Sequence, residues 1–195
     1  MSARLPAPRR RRQLLDVALG IFADRGFHPA SMNDIAEAAG VTKPVLYQHF
    51  GSKRELYLEL LDDVGDQLRD EIGKATSGAG GPRQQVEAGF TAYFRFVHRQ
   101  QAAFQILFGG GAGRDEEFAE AVSRVEASIA DAIAVLIDIE GLDAERQRLL
   151  AYGIVGLAEG TSRHWITSGM QGDPGALAAQ VAQLAWAGLR GIAVD

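Results

Sequence analysis

The residues that point most clearly to a chemistry lie between positions 31 and 50. Ser31 followed by Asp34 approximates a capping box and predicts a short helix. A turn at Gly40 separates this helix from a second one that starts at Thr42, and this order is the sequence shape of a helix-turn-helix. The second helix of such a motif can enter the major groove of duplex DNA, where side chains meet base edges. We therefore expect most of that helix to face solvent.

A second group of chemistry-bearing side chains lies between positions 90 and 108, where seven residues are aromatic or histidine. They are Phe90, Tyr93, Phe94, Phe96, His98, Phe104 and Phe108. Together they could line an apolar ligand cavity, with His164 and Trp165 as a second wall. Arg163 would suit a carboxylate or similar ligand only if it is buried. The alternative is that these side chains are ordinary core, and the sequence leaves both interpretations open.

The sequence contains no motif for catalysis. Gly109 and Gly111 are followed by Gly113 and Arg114 rather than by the rest of a dinucleotide-binding fingerprint, and the acidic residues 115–117 would repel phosphate. There is no P-loop, no H-E-x-x-H and no G-x-S-x-G, and the four histidines are widely spaced. We predict no catalytic residue, no metal site and no cofactor, and we expect that the chain is not an enzyme.

The composition of the 195-residue chain is that of an ordinary globular protein, with 47% hydrophobic and 23% charged residues. The absence of cysteine excludes disulfides, thiolate zinc sites, iron–sulfur clusters and thiol nucleophiles, and it fits a reducing compartment. No apolar run reaches the roughly 18 residues that a membrane helix needs, and Asp16 interrupts the first apolar stretch. We therefore predict a cytoplasmic protein with no membrane partner.

The net charge of −5 is unevenly distributed along the chain. Residues 1–54 contain nine Lys and Arg against four Asp and Glu, whereas residues 55–195 contain eleven against twenty-one. We call residues 1–54 the head and residues 55–195 the body. The basic head is predicted to bind a polyanion, and the acidic body is not.

Apolar residues repeat with helical spacing along the chain, and no segment shows the sustained period of two that strands require. One apolar stripe predicts a first helix over residues 9–25, and a glycine-rich interval at residues 75–82 separates later helices. A stripe from Phe118 to Ile139 predicts one long helix that Gly141 ends. The predicted fold class is all-α, with about nine helices.

Small residues recur on one face of each of the last two predicted helices, residues 143–168 and 174–192. Glycine inside a helix costs about 1 kcal/mol relative to alanine, so repeated glycines at helical spacing need a packing reason. Small side chains let two helix backbones approach closely. We therefore predict a helix-to-helix dimer interface built on Gly153, Gly156, Gly160, Ala178, Ala182 and Ala185.

A dense pattern of apolar and glycine residues spans positions 9–60. Its members are Leu14-Leu15, Ala18, Phe22, Gly26-Phe27, Ile35-Ala36, Ala39-Gly40-Val41, Leu46-Tyr47, Phe50, Lys53 and Leu56. This pattern resembles the N-terminal signature of TetR-type transcriptional regulators, whereas the rest of the chain is similar to that family only in length, helix count and a glycine-bearing penultimate helix. The resemblance implies a homodimer that binds a palindromic DNA operator with two helix-turn-helix heads and is released when a small molecule enters the body.

Carried over position by position, the resemblance implies that seven residues of the second helix of the motif face DNA. They are Thr42, Lys43, Pro44, Val45, Tyr47, Gln48 and His49. By chemistry, Lys43 and Gln48 can hydrogen-bond base edges, and Pro44 and Val45 can contact thymine methyl groups. The other three can reach phosphates.

Residues outside that helix are further candidates for DNA contacts. Ser31 and Lys53 lie at helix N-termini, which present free N–H groups to phosphates. The basic run Arg9, Arg10, Arg11 and Arg12 could enter a flanking minor groove or follow the DNA backbone. The alternative for this run is a solvated charge cluster.

Each interpretation within the second helix also has an alternative. Tyr47 could be a half-buried core aromatic, and His49 could be a polar helix end. Leu46 and Phe50 are assigned to the core, because a spacing of four residues places them on one face.

Together these features predict a ligand-responsive regulator, most often a repressor in this family, whose effector is small and apolar or aromatic. The predicted domains are a flexible arm (1–8), a DNA-binding head (9–54, with the family domain extending to about 70) and a ligand-binding and dimerisation body (55–195). Two alternatives remain open, a small-molecule-binding module and a helical protein-interaction module, both without specific operator binding. The polar and basic residues of the second helix disfavour both.

Overall fold

The computed structural model describes residues 6–108 and 115–192. Nine α-helices and no strand occur in this part of the chain, which confirms the all-α prediction. The helices are α1 (Ala7–Arg25), α2 (Met32–Ala38), α3 (Lys43–Tyr47), α4 (Lys53–Ser77), α5 (Pro82–Arg99), α6 (Gln101–Phe108), α7 (Glu116–Ala134), α8 (Ala144–Thr167) and α9 (Pro174–Arg190). None of these helices is long and apolar enough to cross a membrane.

Residue contacts divide the chain into two units. The first unit comprises Met1–Val64 and Ala102–Ala121, and the second unit comprises Gly65–Gln101 and Val122–Asp195. The division falls within α4 and α7, so the start of α7 and nearly all of α6 belong with α1, α2 and α3. The predicted boundary between head and body after residue 54 stays a prediction.

Apolar stripes on the short helices form the core of the first unit. Leu14, Ala18 and Phe22 lie on one face of α1 and are buried, as their spacing by four residues predicts. Ile35 of α2 and Leu46 of α3 are fully buried as well, and α2 packs against both α1 and α3. This packing fixes the orientation of α3 within the first unit.

The turn between α2 and α3 has the geometry that its residues predict. The Ser31 hydroxyl accepts the Asp34 N–H at 3.2 Å, and the Asp34 carboxylate accepts the Ser31 N–H at 2.9 Å, so the capping box is confirmed. After α2, Gly40 adopts a φ of 65°, which glycine tolerates without steric cost. The Val41 N–H then donates to the Ala36 carbonyl at 2.9 Å, which closes the end of α2.

The second unit contains all of α5, α8 and α9. In this unit α5 packs mainly against α9, and α8 contacts both helices. Phe90 and Phe94 of α5 are buried here. Gly65 of α4 lies so close to Val125 of α7 that an added β-carbon would come within 2.6 Å of both Val125 methyl carbons. This close approach gives a packing reason for a glycine inside α4.

The predicted long helix from Phe118 to Ile139 is wrong at its C-terminal end. α7 stops at Ala134, and the Ile137 N–H donates to the Ala134 carbonyl at 3.1 Å in a tighter turn. Ile137 is buried in a cluster with Ala151 of α8, and its carbonyl accepts the Gln147 side-chain amide at 3.0 Å. The apolar periodicity continues past the helix because Ile137 packs inward from a turn.

The beginning of α1 also differs from the prediction. The helix starts at Ala7 rather than near Arg9, because Pro8 fits a first helical turn, where its missing N–H costs nothing. Most of the predicted arm, residues 1–5, lies outside the described residues. The glycines at positions 109, 111 and 113 lie outside them as well.

Candidate nucleic-acid interface and ligand site

The outer face of α3 consists of solvent-exposed polar residues. Thr42 occupies the N-cap position of α3 without a side-chain hydrogen bond to the helix, and Lys43 and Pro44 in the first turn are exposed. Tyr47 is 43% exposed, and the Lys43 ammonium nitrogen lies 5.9 Å from the centre of its ring. Gln48 follows Tyr47 and is also exposed. This face presents a cation, an amide and a phenol to solvent from one short helix.

The inner face of α3 anchors the helix in the core of the first unit. Leu46 and Phe50 are 0% and 1% exposed, which confirms their assignment to the core. Val45 and His49 are half-buried. Tyr47 is a surface residue, so the alternative that it belongs to the core is wrong. Burial of Leu46 on the inner side of α3, and of Phe50 just after the helix, therefore fixes which side of α3 faces solvent.

The basic run is partly neutralised by carboxylates of α4. Arg11 forms an ion pair with Glu59, and its guanidinium lies 4.4 Å from the centre of the Phe50 ring. Arg12 bonds Asp63 at 2.8 Å and also bonds Asp16 of its own helix at 2.6 Å. These two arginines clamp α1 to α4, so a free DNA-contacting role for them is not supported. The two other arginines of the run, Arg9 and Arg10, stay candidates for DNA contact.

Lys53 is bound to the loop between α1 and α2. Its ammonium group donates to the carbonyls of Phe27 at 2.7 Å, His28 at 3.2 Å and Ala30 at 2.8 Å. A lysine has three N–H donors, and all three are used here. The predicted direct phosphate contact by Lys53 is therefore not supported, and this geometry makes Lys53 a residue that positions the motif.

The Ser31 hydroxyl is likewise engaged inside the protein. It donates to the Asp34 carboxylate at 2.5 Å while it accepts the Asp34 N–H. A hydroxyl has one proton to donate, and that proton is used. A phosphate contact at this position would therefore use the backbone at the start of α2 and not the Ser31 side chain.

The first unit also contains a contact set that the sequence did not reveal. The Arg54 guanidinium bonds Asp115 at 2.6 and 3.0 Å and Glu117 at 2.5 Å. It lies 4.8 Å from the centre of the Phe118 ring, and the centre of that ring lies 4.6 Å from the centre of the Tyr57 ring in a tilted arrangement. These contacts tie the start of α7 to the start of α4. The only sequence signal was the acidic run at residues 115–117, which says nothing about a partner 61 residues away in the chain.

Four of the seven aromatic residues that were predicted to line the ligand site cluster in the second unit. Phe90, Tyr93, Phe94 and Trp165 are all buried there. The ring centres of Phe94 and Trp165 are 6.2 Å apart, and those of Tyr93 and Phe94 are 5.3 Å apart. The Trp165 N–H donates to the Gln171 carbonyl at 2.9 Å and is therefore satisfied within the protein. This cluster provides an apolar wall from α5 and α8.

The other predicted ligand-site residues are not part of this wall. Phe104 and Phe108 belong to the first unit, where their ring centres are 5.1 Å apart. His98 and His164 are exposed, although His98 stacks on Trp165. Arg163 is exposed and paired with Glu159, so the burial that a carboxylate anchor requires is absent.

Two buried hydroxyl groups lie beside the apolar wall, and Ser162 is one that the sequence analysis missed. Tyr93 and Ser162 are 6% and 0% exposed, and neither hydroxyl oxygen has a hydrogen-bond partner. Burial raises the pKa of Tyr93 above its ordinary value, with the nearby Ser162 hydroxyl acting against this shift. On α7, burial and the neighbouring Glu159 raise the pKa of Glu126.

The two groups of residues in the predicted dimer interface lie in different surroundings, since the alanines are buried and the glycines are exposed. Ala178, Ala182 and Ala185 of α9 are buried within their own chain, so their prediction as partner contacts is wrong. They are small because α9 packs closely on α5. The three glycines of α8 are exposed, and a β-carbon on any of them would meet no atom within 4 Å. The glycine stripe Gly153, Gly156 and Gly160 is thus an open helix face.

The fold and the exposed α3 define a helix-turn-helix protein. Residues 14–60 match the family profile described as bacterial regulatory proteins of the tetR family, and residues 82–188 match the tetracyclin repressor-like C-terminal domain. The chain is 36% identical to the HTH-type transcriptional activator FasR of Mycolicibacterium smegmatis over 95% of this chain and 85% of that protein. The chain therefore belongs to the TetR family, whose members are transcriptional regulators and not enzymes.

Further relatives and solved structures agree with this family. The HTH-type transcriptional repressor KstR2 of Mycobacterium tuberculosis is 33% identical over 48% of this chain and 46% of its own length. A TetR-like transcriptional regulator from Rhodococcus sp. RHA1 is 29% identical and has a TM-score of 0.78. The superposition covers 97% of this chain and 100% of that chain. The FadR of Bacillus subtilis in complex with stearoyl-CoA has a TM-score of 0.80 at 18% identity, with 93% of this chain and 99% of that chain covered. This last likeness shows the fold alone.

Proposed function

We propose that the protein is a homodimer that binds a palindromic DNA operator through α3 of each protomer and responds to a small effector. The observation that carries the proposal is the solvent-exposed face of Thr42, Lys43, Tyr47 and Gln48, held in place by the buried Leu46. Such a face has no role in the core of the first unit. It provides the donors and acceptors with which a helix in the major groove meets base edges and phosphates.

Within this proposal the contacts divide by chemistry. Lys43 and Gln48 hydrogen-bond base edges, and the exposed Pro44 supplies apolar contact to thymine methyl groups. Thr42 and Tyr47 reach phosphates. Val45 and His49 are half-buried and contribute at the edge of the same surface.

The dimer of this proposal forms through the open face of α8. Leu149 is 70% exposed and Tyr152 is 39% exposed on this helix, and the glycine stripe Gly153, Gly156 and Gly160 offers no side chain that would hold a partner helix away. Leu184 of α9, 61% exposed, adds an apolar contact. Two heads in a symmetric dimer read two half-sites about 34 Å apart, one turn of the DNA helix.

The effector of this proposal is apolar or aromatic, with a long acyl group as the first candidate. Its support is the buried wall of Phe90, Phe94 and Trp165 in the second unit. The B. subtilis FadR, which shares the fold, is in complex with stearoyl-CoA, and this molecule is therefore the first probe. A coupling free energy of about 1–3 kcal/mol between effector and operator would weaken DNA binding roughly 5–150-fold. The proposed site of action is the cytoplasm, where this regulator would meet chromosomal DNA.

The direction of regulation has two candidates. A repressor that the effector releases is the prediction from the sequence, and KstR2 carries that name. The relative that matches 95% of this chain is named an activator, which favours the second candidate. A reporter gene behind the selected operator decides between them, since deletion of a repressor raises expression and deletion of an activator lowers it.

The test is selection of bound sequences from a random duplex library with the purified protein at moderate salt. We expect enrichment of one palindrome, with affinity that falls steeply as salt rises, at a log–log slope of about −0.9 per phosphate neutralised. Lys43→Ala combined with Tyr47→Ala should abolish enrichment and leave the dimer intact. As a matched control, Glu37→Gln changes an exposed residue of α2 and should keep the operator. Absence of an enriched palindrome, with and without stearoyl-CoA, contradicts the proposal.

A further inference from the structure

The buried hydroxyl groups of Tyr93 and Ser162 are exceptional within the described residues. They are the two buried side-chain polar atoms there that have no hydrogen-bond partner. Leaving a buried hydroxyl unpaired costs about 1–3 kcal/mol, so two such groups at one place need an explanation. Tyr93 lies on α5 and Ser162 on α8, two helices that contact each other in the second unit.

Ser162 differs from other hydroxyl residues on helices of this chain. The Thr161 hydroxyl donates to the Leu157 carbonyl at 2.6 Å, and the Thr167 hydroxyl donates to the Arg163 carbonyl at 2.9 Å. The Ser162 hydroxyl makes no such bond to its own helix. Even if Tyr93 and Ser162 bonded each other, one O–H donor of the pair would remain unused, because each hydroxyl carries one proton.

The surroundings of the two hydroxyls limit which ligand groups can accept hydrogen bonds from them. The Phe94 ring lies 5.3 Å from the Tyr93 ring, and the Trp165 ring lies 6.2 Å from that of Phe94, so this apolar surface disfavours a strongly hydrated ligand group. Glu159 and Arg163 are both close enough to Tyr93 to act on its ionisation, in opposite directions, and these two side chains pair with each other. Arg163 is therefore not free to neutralise an anionic ligand group beside Tyr93. A neutral oxygen with two lone pairs needs no such counter-ion.

We propose that the Tyr93 and Ser162 hydroxyl groups form a two-donor site for one neutral acceptor oxygen, the carbonyl of a thioester, ester or ketone that adjoins the apolar chain of an effector. This inference rests on the proposed function, which supplies the effector. The carbonyl oxygen accepts from both hydroxyls, and the apolar part of the effector packs on Phe94 and Trp165. A free carboxylate of the same chain length binds less well.

The experiment compares stearoyl-CoA with S-octadecyl-CoA, in which a methylene group replaces the thioester carbonyl. Dissociation constants are measured below the micelle concentration for the wild type, Tyr93→Phe, Ser162→Ala and the double variant. We expect the wild type to prefer the thioester by about tenfold, in line with one or two neutral hydrogen bonds, and the double variant to bind both molecules equally. The matched control is Thr161→Val, whose hydroxyl bonds its own helix, and it should keep the preference.

The free protein provides a second measurement. Because the two hydroxyls have no partner outside the pair, Tyr93→Phe combined with Ser162→Ala should leave the melting temperature unchanged or raise it. A fall of several degrees would show that one of the hydroxyls bonds another protein group in the free protein and would overturn the inference. Equal affinity of the wild type for both molecules, or no binding of either, also overturns it. Operator selection is independent, so failure to find an operator while the thioester preference holds removes the proposed function alone.

Discussion

Arg54 and Asp115 form a fork in which two guanidinium N–H groups donate to the two carboxylate oxygens at 2.6 and 3.0 Å. The fork joins the residue that follows the start of α4 to the residue that precedes α7. Both lie in the first unit, the unit that contains the helix-turn-helix. The position of the start of α7 therefore depends on α4, the helix that directly follows the helix-turn-helix motif. Loss of the fork should affect the starts of both helices.

The fork has a defined pH dependence. Hydrogen bonds from Arg54 hold the pKa of Asp115 below its ordinary value of 3.8. A lowered folded-state pKa means that the stabilisation is fully present above the ordinary value and is lost as pH falls through the lowered one. We expect amide exchange at residues 116–121 to accelerate in acid only below that point.

Asp115→Asn should accelerate this exchange already at neutral pH. The matched control is Glu116→Gln, which changes the exposed neighbouring residue and should leave the exchange rate unchanged. Equal exchange rates in the wild type and Asp115→Asn at neutral pH would show that the fork does not hold the start of α7.

Lys53→Met tests whether this lysine positions the motif or contacts DNA. Loss of three hydrogen bonds to carbonyls of the loop between α1 and α2 should lower the free energy of unfolding by about 1–3 kcal/mol. Operator affinity should fall while its salt dependence stays the same, because no phosphate contact is lost. A salt slope that becomes shallower by about 0.9 would instead show a direct phosphate contact. The measurements are denaturant unfolding and operator binding at several salt concentrations.

Gly65→Ala should destabilise the second unit. The added β-carbon would lie 2.6 Å from both methyl carbons of Val125, a stiff β-branched residue that cannot rotate away. Overpacking of this kind costs about 1–3 kcal/mol. Gly73→Ala on the same helix is the control, since no atom lies within 4 Å of its added β-carbon. There the better helix propensity of alanine should raise stability by up to about 1 kcal/mol. Equal effects of the two substitutions in denaturant unfolding would refute the close approach.

Glu126→Gln should stabilise the protein at neutral pH. Burial and the nearby Glu159 raise the pKa of Glu126 above its ordinary value of 4.5, so ionisation opposes folding. The stability associated with the protonated group is fully present below the ordinary value and is lost as pH rises through the raised one. The melting temperatures of wild type and variant should therefore converge at low pH and separate as pH increases. Glu120→Gln, at an exposed position of α7, should show no such separation.

Several features of the fold and of the candidate site followed from the sequence because they depend on neighbours in the chain. The capping box of Ser31 and Asp34 and the glycine turn at Gly40 are local interactions, and both are present in the structure. The burial of Leu46 and Phe50 follows from their spacing by four residues. These local features fix the helix-turn-helix and the face of α3 that meets solvent.

Other features were decided only when distant segments packed together. Lys53 was a candidate for phosphate contact by its place at a helix start, but its three donors bind a loop about 25 residues earlier in the chain. The apolar periodicity predicted that α7 continues to Ile139, whereas the helix ends at Ala134 and Ile137 packs inward from the following turn. The helical spacing of small residues predicted that Ala178 is an interface residue, because this spacing is the same whether the small side chains face a partner subunit or their own chain.

The sequence by itself thus determined the class of fold, the helix-turn-helix motif and the charge asymmetry between residues 1–54 and residues 55–195. Each of these depends on residue types within a few positions of one another. The tertiary structure alone decided the fork between Arg54 and Asp115 and the unpaired hydroxyls of Tyr93 and Ser162. Partners more than 60 residues apart carry no spacing signal, and whether a hydroxyl is satisfied depends on every atom that packs around it.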